Sequence, residues 1–199
     1  PMWIHGRFVW LLSTLCLEIG TRDEWLAAAK LGIDFMERYG TDSGDGRRYY
    51  SVTNDGRPLR KRRYVFTETF AIIAYAAYGR ATGDARWLKK ADELLQSVLD
   101  LLANPGKLDP KIDPATRTGK ALAVPMILIN TAQELRRFGG TQNDTYTRLI
   151  DDCIEEVRRD FLKPEYRCVL EQVGPAGELI DHYDGRQINP GHGIELAWF

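Results

Sequence analysis

The feature that most constrains the fold is a helical pattern that recurs about every sixty residues. An apolar segment is followed by a short turn rich in Gly, Thr and Asp, and then by an aromatic residue that opens an amphipathic segment. The three aromatic residues, Trp25, Trp87 and Tyr146, lie 62 and 59 residues apart. Gly in such a turn allows a left-handed exit from the first helix, and Thr or Asp accepts hydrogen bonds from the free amides of the second. The pattern predicts a chain built from repeated helical pairs.

The two helices of each pair differ in kind. The first is apolar on nearly every side, at residues 8–17, 64–78 and 121–132, and is expected to be buried on most of its faces. The second is amphipathic, at residues 25–38, 88–102 and 149–157, and is expected to lie outside. Pro125 predicts a kink or a late start of the third apolar helix. This layout predicts an all-α toroid of inner and outer helices.

Two connections between the pairs have strand character. Residues 47–53 precede the turn at residues 54–56, which predicts a short β-hairpin. A second such stretch, residues 166–173, leads towards the segment that contains His192. Long connections in a helical array are more often part of a functional site than idle.

The number of pairs indicates how much of a closed ring is present. A ring of six units of this size needs roughly 360 residues, whereas this chain has 199. If the toroid closes with six such units, residues 1–199 are one partial domain that holds about half of the whole. Pro1 at the start and the apolar residues 196–199 at the end predict truncation at both termini. Such a fragment is expected to be inactive alone.

Charge and cysteine content exclude several classes of function. The formal net charge is −1, and the basic run at residues 60–63 is short, so a nucleic-acid partner is not expected. No apolar run is long enough for a membrane span. The three cysteines, Cys16, Cys153 and Cys168, have no metal-site or disulfide spacing, which predicts a reducing, cytoplasmic location.

His192 is the histidine whose position most favours chemistry. It follows Asn189-Pro190-Gly191 at the start of an apolar helix, with Glu195 three residues later on the same face. Glu195 would then orient the imidazole and stabilise its protonated form for acid–base catalysis. The competing interpretation is a plain helix start that Glu195 helps to cap.

Arg7 and Glu68 are charged residues within apolar helices. A guanidinium in such a place needs a carboxylate, a carbonyl or a ligand. Two interpretations stay open: a structural ion pair between Arg7 and Glu68, or two residues that line a central pocket. No metal site is expected, because His192 and Glu195 have no evident third ligand.

Four segments together resemble the N-acylglucosamine 2-epimerase family, and the resemblance runs in order over essentially the whole chain. The most specific of them is Asn-Pro-Gly-His-Gly-Ile-Glu, and His5 departs from the glutamine expected before Gly-Arg. The four segments are residues 3–10, 64–70, 124–136 and 189–195.

The resemblance implies an (α/α)6 barrel isomerase that needs neither a metal nor an organic cofactor. It would interconvert N-acetylglucosamine and N-acetylmannosamine, or a related aldose, by moving the C2 proton through an enediolate. His192 matches one of two catalytic histidines, Arg7 the site arginine that stabilises the oxyanion, and Glu195 a residue that orients His192 or binds a sugar hydroxyl. Glu68, Tyr64 and Trp198 are implied as substrate-binding residues, and a homodimer is left open.

Four alternatives remain. A mannose-type isomerase would deliver the proton to C1, and a cellobiose 2-epimerase would favour a histidine where this chain has Met126 and Ile127. A glycoside hydrolase on the same fold would need two acids, for which Glu68 and Glu195 are the available pair. The fourth is an inactive fragment or a helical scaffold.

Overall fold

A computed structural model describes residues 1–62, 64–110, 113, 115–116 and 118–199. The described elements are mostly helical. The helices are α1 (Met2–Glu18), α2 (Asp23–Tyr39), α3 (Phe66–Thr82), α4 (Ala85–Ala103), α5 (Ala123–Phe138), α6 (Asn143–Glu156) and α7 (Pro190–Trp198). The short strands are β1 (Tyr49–Val52), β2 (Pro58–Lys61), β3 (Lys120–Ala121), β4 (Leu162–Lys163), β5 (Cys168–Val169) and β6 (Gln172–Val173). None of the described helices is long and apolar enough to cross a membrane.

The described residues form two compact units. The first consists of Pro1–Asp109 with Glu134–Asn143, and the second of Pro110–Gln133 with Asp144–Phe199.

In the first unit, α1 packs against α2 and α3, and α3 packs against α4. Gly6 lets α1 approach α3 closely, since a Cβ there would lie 2.6 Å from the backbone oxygen of Phe70. The hairpin predicted at residues 47–53 is confirmed: β1 and β2 pair antiparallel, and Gly56 in the turn has φ 89°. The core of the first unit includes Ile33, Ile72 and Leu95, which are fully buried.

The inner helices of the first unit are buried to different extents. Every residue of α3 from Thr67 to Gly79 is buried, as the apolar pattern predicts. In α1, one face is buried, but Ile4, Phe8 and Leu11 are each about half exposed. These three residues lie on one stripe of the helix at i, i+4 and i+7. The expectation of burial on most sides is thus correct for α3 and only partly correct for α1.

A buried polar network ties the hairpin of the first unit to its helices. Arg48 donates to the backbone oxygen of Met36 at 3.2 Å and to the Tyr75 hydroxyl, which in turn donates to Glu37. Burial raises the pKa of Tyr75. Burial would also raise the pKa of Glu37, but hydrogen bonds from Lys90 and Tyr75 outweigh it and lower that pKa. A fully hydrogen-bonded network of this kind fixes one packing arrangement.

In the second unit, short strands and a helix share one apolar cluster. Leu122, Phe161 and Val173 lie at the centre of that cluster, and Leu196 of α7 packs against it. Strand β3 pairs with β6, and β4 pairs with β5. The strand character predicted for residues 166–173 is confirmed in part, because Leu170 and Glu171 interrupt the strands.

The turn between α3 and α4 follows the sequence signals, whereas α2 begins after Arg22, whose side chain makes no capping hydrogen bond. Gly83 adopts a left-handed conformation after α3, and the Asp84 side chain accepts a hydrogen bond from the Arg86 amide at 3.1 Å. Pro125 lies in the first turn of α5, which begins at Ala123. Of the two predicted effects of Pro125, the structure shows the late start, since a proline is tolerated where the amide has no helical partner.

Candidate active site

His192 lies in the first turn of α7, and the residues before it fix its backbone. The Asn189 side chain accepts hydrogen bonds from the amides of Gly191 at 3.0 Å and His192 at 3.4 Å. Pro190 occupies the first helical position, where its fixed φ favours a helix start. Asn189 therefore caps this helix, whereas the sequence analysis considered Glu195 for that role. About a third of the imidazole (35%) is exposed.

The Nδ1 atom of His192 lies 2.8 Å from Oε2 of Glu171. The Glu171 side chain is 16% exposed, and buried residues lie immediately before it, Leu170, and two residues after it, Val173. Its backbone is held on both sides: its oxygen accepts from the Leu122 amide at 3.0 Å, and its amide donates to the Gln187 oxygen at 3.4 Å. The carboxylate therefore faces the imidazole from a fixed backbone.

The sequence analysis missed Glu171 as a site residue. The local signal was weak, since an acidic residue in a strand-like segment is usually solvated, and 21 residues separate it from His192. The pairing arises from tertiary structure that local spacing does not encode.

Glu195 and Trp198 lie on the same helix as His192. Both are exposed, Trp198 by 77%. The prediction that Glu195 orients the imidazole is not what the structure shows, because Glu171 occupies that place. The Trp198 ring packs beside that of Phe199, with the centroids 5.4 Å apart.

Arg7 lies on the exposed side of α1 in the first unit, with its guanidinium above two aromatic rings. The distance from Cζ to the ring centroid is 4.1 Å for Phe70 and 5.6 Å for Trp3. No carboxylate among the described residues forms an ion pair with Arg7. Ring contacts from α1 and α3 thus hold the Arg7 guanidinium and leave it available to a ligand.

Glu68 and Tyr64 meet at a different arginine, Arg47. The Arg47 guanidinium donates to Oε1 of Glu68 at 3.1 Å and to the backbone oxygens of Tyr64 at 3.0 Å and Arg62 at 3.1 Å. Glu68 also accepts from the Arg48 amide at 3.1 Å. The ion pair considered between Arg7 and Glu68 is therefore wrong: Glu68 is a 1% exposed residue that pairs with Arg47.

The six predicted site residues fall into two groups. Arg7, Tyr64 and Glu68 belong to the first unit, and His192, Glu195 and Trp198 to the second. Glu68 has one carboxylate oxygen, Oε2, that is buried and has no hydrogen-bond partner among the described residues, and so does Glu171 at Oε1.

The other two histidines have local contacts. His5 stacks on Phe35, with the ring centroids 5.0 Å apart, and burial lowers its pKa. His182 is exposed, and its Nδ1 accepts from the Asp184 amide at 3.3 Å. Within the described ranges, no group of three His, Cys, Asp or Glu side chains is arranged to hold a metal ion.

Sequence comparison finds one family over the whole chain. The model of the family described as N-acylglucosamine 2-epimerase (GlcNAc 2-epimerase) matches residues 1–199. The N-acylglucosamine 2-epimerase of Bos taurus is 31% identical over 202 residues, an alignment that covers 100% of this chain and 48% of the relative. The chain thus spans about half the length of the curated relatives it matches.

Structural comparison finds the same kind of fold. A sugar epimerase from a ruminal bacterium superposes with a TM-score of 0.81 at 21% identity, over 100% of this chain and 52% of that one. The cellobiose 2-epimerase of Spirochaeta thermophila DSM 6192 gives a TM-score of 0.73 at 21% identity, over 100% and 51%. These matches confirm the predicted fold class, an all-α chain of the (α/α) barrel type with short strands in its connections.

Proposed function

We propose that this chain acts in sugar 2-epimerisation, because it belongs to the N-acylglucosamine 2-epimerase family and presents a histidine suited to proton transfer. The observation that carries the proposal is the geometry of His192. One ring nitrogen is 2.8 Å from a glutamate, while the partly exposed ring offers its other nitrogen, Nε2, for which no described residue provides a hydrogen bond. A histidine held in this way is a common general acid–base arrangement.

The proposed step removes the C2 proton of an open-chain aldose. Nε2 of His192 takes that proton, the C2–H electron pair forms the C1–C2 double bond, and the C1 carbonyl oxygen becomes an oxyanion. A second acid on the opposite face, a histidine by resemblance to the family, returns a proton to C2 and restores the carbonyl. The sugar leaves with inverted configuration at C2, and no electrons are gained or lost.

Arg7 is proposed to stabilise the oxyanion. Its guanidinium carries a permanent charge, is held by aromatic rings and has no ion-pair partner among the described residues. Glu195 is exposed and forms no hydrogen bond with the imidazole, which is bonded to Glu171, so the role proposed for it is to bind a sugar hydroxyl. Tyr64 and Trp198 are retained as proposed contacts to the sugar. Glu68, predicted as a third, is 1% exposed and paired with Arg47, so we assign it to the fold instead.

N-acetylglucosamine and N-acetylmannosamine are the proposed substrates, since the curated relatives that match the full chain carry the name N-acylglucosamine 2-epimerase. The environment of Glu68 weakens the alternative of a glycoside hydrolase. Glu68 is buried and neutralised by Arg47, which leaves it poorly suited to protonate a glycosidic oxygen.

The reaction class is tested on the full-length gene product that contains these residues, which is the wild type in every activity measurement below. It is incubated in D2O with N-acetylglucosamine, N-acetylmannosamine, mannose, glucose and cellobiose. Proton NMR then follows the C2 signal and the products. We expect deuterium at C2 together with formation of the C2 epimer of an N-acetylated sugar. A ketose product would instead establish an isomerase, release of glucose from cellobiose a hydrolase, and no change with any sugar would contradict the proposal.

A further inference from the structure

We propose that Glu171 is a positioning residue that fixes both the tautomer and the orientation of His192. This inference rests on the proposed function for its kinetic consequence, but its structural part concerns the two side chains alone. It starts from the 2.8 Å contact between Nδ1 of His192 and Oε2 of Glu171.

The contact determines which ring nitrogen carries the proton. An ionised carboxylate can only accept hydrogen bonds, so the neutral imidazole must place its proton on Nδ1. Its lone pair is then on Nε2, which is the atom that the proposed step uses as a base. Without the carboxylate, the ring would be free to adopt the other tautomer, which has no lone pair at Nε2.

The contact also restricts rotation of the ring. His192 lies on a capped helix start, so its Cα is fixed, and Glu171 lies on a backbone with hydrogen bonds to Leu122 and Gln187. Leu196 of the same helix packs against the apolar cluster that includes Leu170, which precedes Glu171, and Val173, which lies two residues after it. Two fixed backbones therefore hold the hydrogen bond between the two side chains.

The carboxylate is also kept from competing donors. Its second oxygen, Oε1, is buried and receives no hydrogen bond within the described part of the chain. No Lys or Arg in that described part forms an ion pair with Glu171. The buried Asp160 differs, because it pairs with Lys120 and Arg159. The imidazole is therefore the group on which the charge of Glu171 acts.

The test uses Glu171→Ala and Glu171→Gln, with Glu165→Ala as a matched control on an exposed glutamate of the same unit. The first readout is the tautomer of His192 in the neutral protein, from ¹⁵N shifts and long-range couplings, assigned by the signal that His192→Asn removes. We expect the Nδ1–H tautomer in the wild type, the control and Glu171→Gln, whose amide oxygen still accepts, and conversion to Nε2–H in Glu171→Ala.

The second readout is the kinetics of C2 proton exchange. Glu171→Ala should lower kcat by about 10²-fold with little change in KM, because it impairs the base and not sugar binding. Glu171→Gln should recover part of this loss. A merely structural role would instead lower stability without changing the tautomer of the folded protein.

The outcomes separate this inference from the proposed function. If the tautomer in Glu171→Ala remains that of the wild type while kcat is retained, the positioning role is wrong even if the enzyme epimerises sugars. Should Glu171→Ala not fold, Glu171→Leu replaces it, because leucine is of similar size and has no hydrogen-bond acceptor. If the wild type exchanges no C2 proton, the proposed function is wrong, and the tautomer readout alone decides the role of Glu171. An Nε2–H tautomer in the wild type would overturn the inference outright.

Discussion

Glu68 and Glu171 are two largely buried carboxylates with different partners. Glu68 pairs with the Arg47 guanidinium and accepts an amide hydrogen bond from Arg48, whereas Glu171 faces the imidazole of His192. In both, one oxygen is bound and the other is buried without a hydrogen-bond partner among the described residues. Arginine is permanently charged, but histidine exchanges its proton under ordinary conditions. The partner therefore decides whether a buried carboxylate maintains the fold or supports chemistry.

The Arg47–Glu68 pair is also more deeply buried than the His192–Glu171 pair. Arg47 and Glu68 have side chains only 11% and 2% exposed, and Arg47 also binds two backbone oxygens of the segment before α3. His192 and Glu171 are more accessible, at 35% and 16%. A group that must meet a substrate has to stay partly open, and one that only fixes a loop does not.

The largest expected effect on stability comes from Glu68→Ala. It leaves the guanidinium of Arg47 buried without its carboxylate, which should lower the free energy of unfolding by about 3–5 kcal/mol. Urea unfolding followed by circular dichroism measures this change. The control is Glu93→Ala on α4, which removes an exposed pair with Lys89 and should cost less than about 1 kcal/mol. Equal losses in the two variants would contradict the structural role of Glu68.

Arg7→Ala tests a cation that, unlike Arg47 and His192, is not paired with a carboxylate among the described residues. Because Arg7 is exposed and held by rings, its loss should change stability little but lower the rate of C2 exchange about 10²-fold. NMR rates and thermal unfolding of the same samples give both values. Arg22→Ala is a matched control, since Arg22 is likewise exposed above a ring, that of Trp25. If Arg7→Ala and Arg22→Ala exchange at the same rate, the oxyanion role fails.

Asp160 tests whether the partner, rather than the unit, decides the behaviour of a carboxylate. It lies in the second unit with Glu171 but binds Lys120 and Arg159. The hydrogen bond from Arg159, together with that from Lys120, lowers the pKa of Asp160 to about 2, although burial acts to raise it. A folded-state pKa below the unfolded one contributes stability above the unfolded value, near 3.9 for Asp. That contribution should therefore be lost as pH falls from about 4 towards 2.

Urea unfolding of the wild type and Asp160→Asn between pH 6 and pH 2.5 measures this contribution. We expect the variant to be less stable at pH 6 and the difference to shrink on acidification. The rate of sugar exchange per folded molecule at neutral pH should be unchanged. A stability difference that does not vary with pH would show that the ion pairs of Asp160 are not its source.

The smallest expected effect is that of Glu195→Gln. Because Glu195 is exposed and forms no hydrogen bond with the imidazole, we expect KM to rise about tenfold, equivalent to the loss of about 1.4 kcal/mol of sugar binding. The value of kcat should change much less than in Glu171→Ala. Steady-state kinetics on the two variants distinguish a sugar contact from a positioning residue, and a kcat loss in Glu195→Gln as large as that in Glu171→Ala would return the orienting role to Glu195.

The fold was predictable because its signals are local and repeated. The turns before Trp25, Trp87 and Tyr146 each carry a glycine, and the turn before Trp87 also carries the capping residue Asp84. Helix starts depend on such near neighbours. The burial of α3 follows from the same local pattern. The exposed stripe of α1 does not, because an apolar sequence shows that a face can be buried but not what covers it.

The site was predictable only in part, since its partners are distant in sequence. The position of His192 at a helix start could be inferred from Asn189 and Pro190. Its partner Glu171 lies between β5 and β6, 21 residues away. Glu68 of α3 is likewise 21 residues from its partner Arg47, which lies in the loop before β1. In both cases the nearer or more conspicuous charge, Glu195 or Arg7, was the wrong choice, because hydrogen bonds between elements depend on how the chain packs.

The most direct test of the chemistry assigned to His192 is the rate at which His192→Asn exchanges the C2 proton of the preferred sugar in D2O. The matched control is His182→Asn, which removes an exposed histidine of the same unit. We predict that exchange in His192→Asn falls to the rate without protein, while His182→Asn and the wild type incorporate deuterium equally fast. Exchange in a folded His192→Asn at the wild-type rate would show that another group removes the proton.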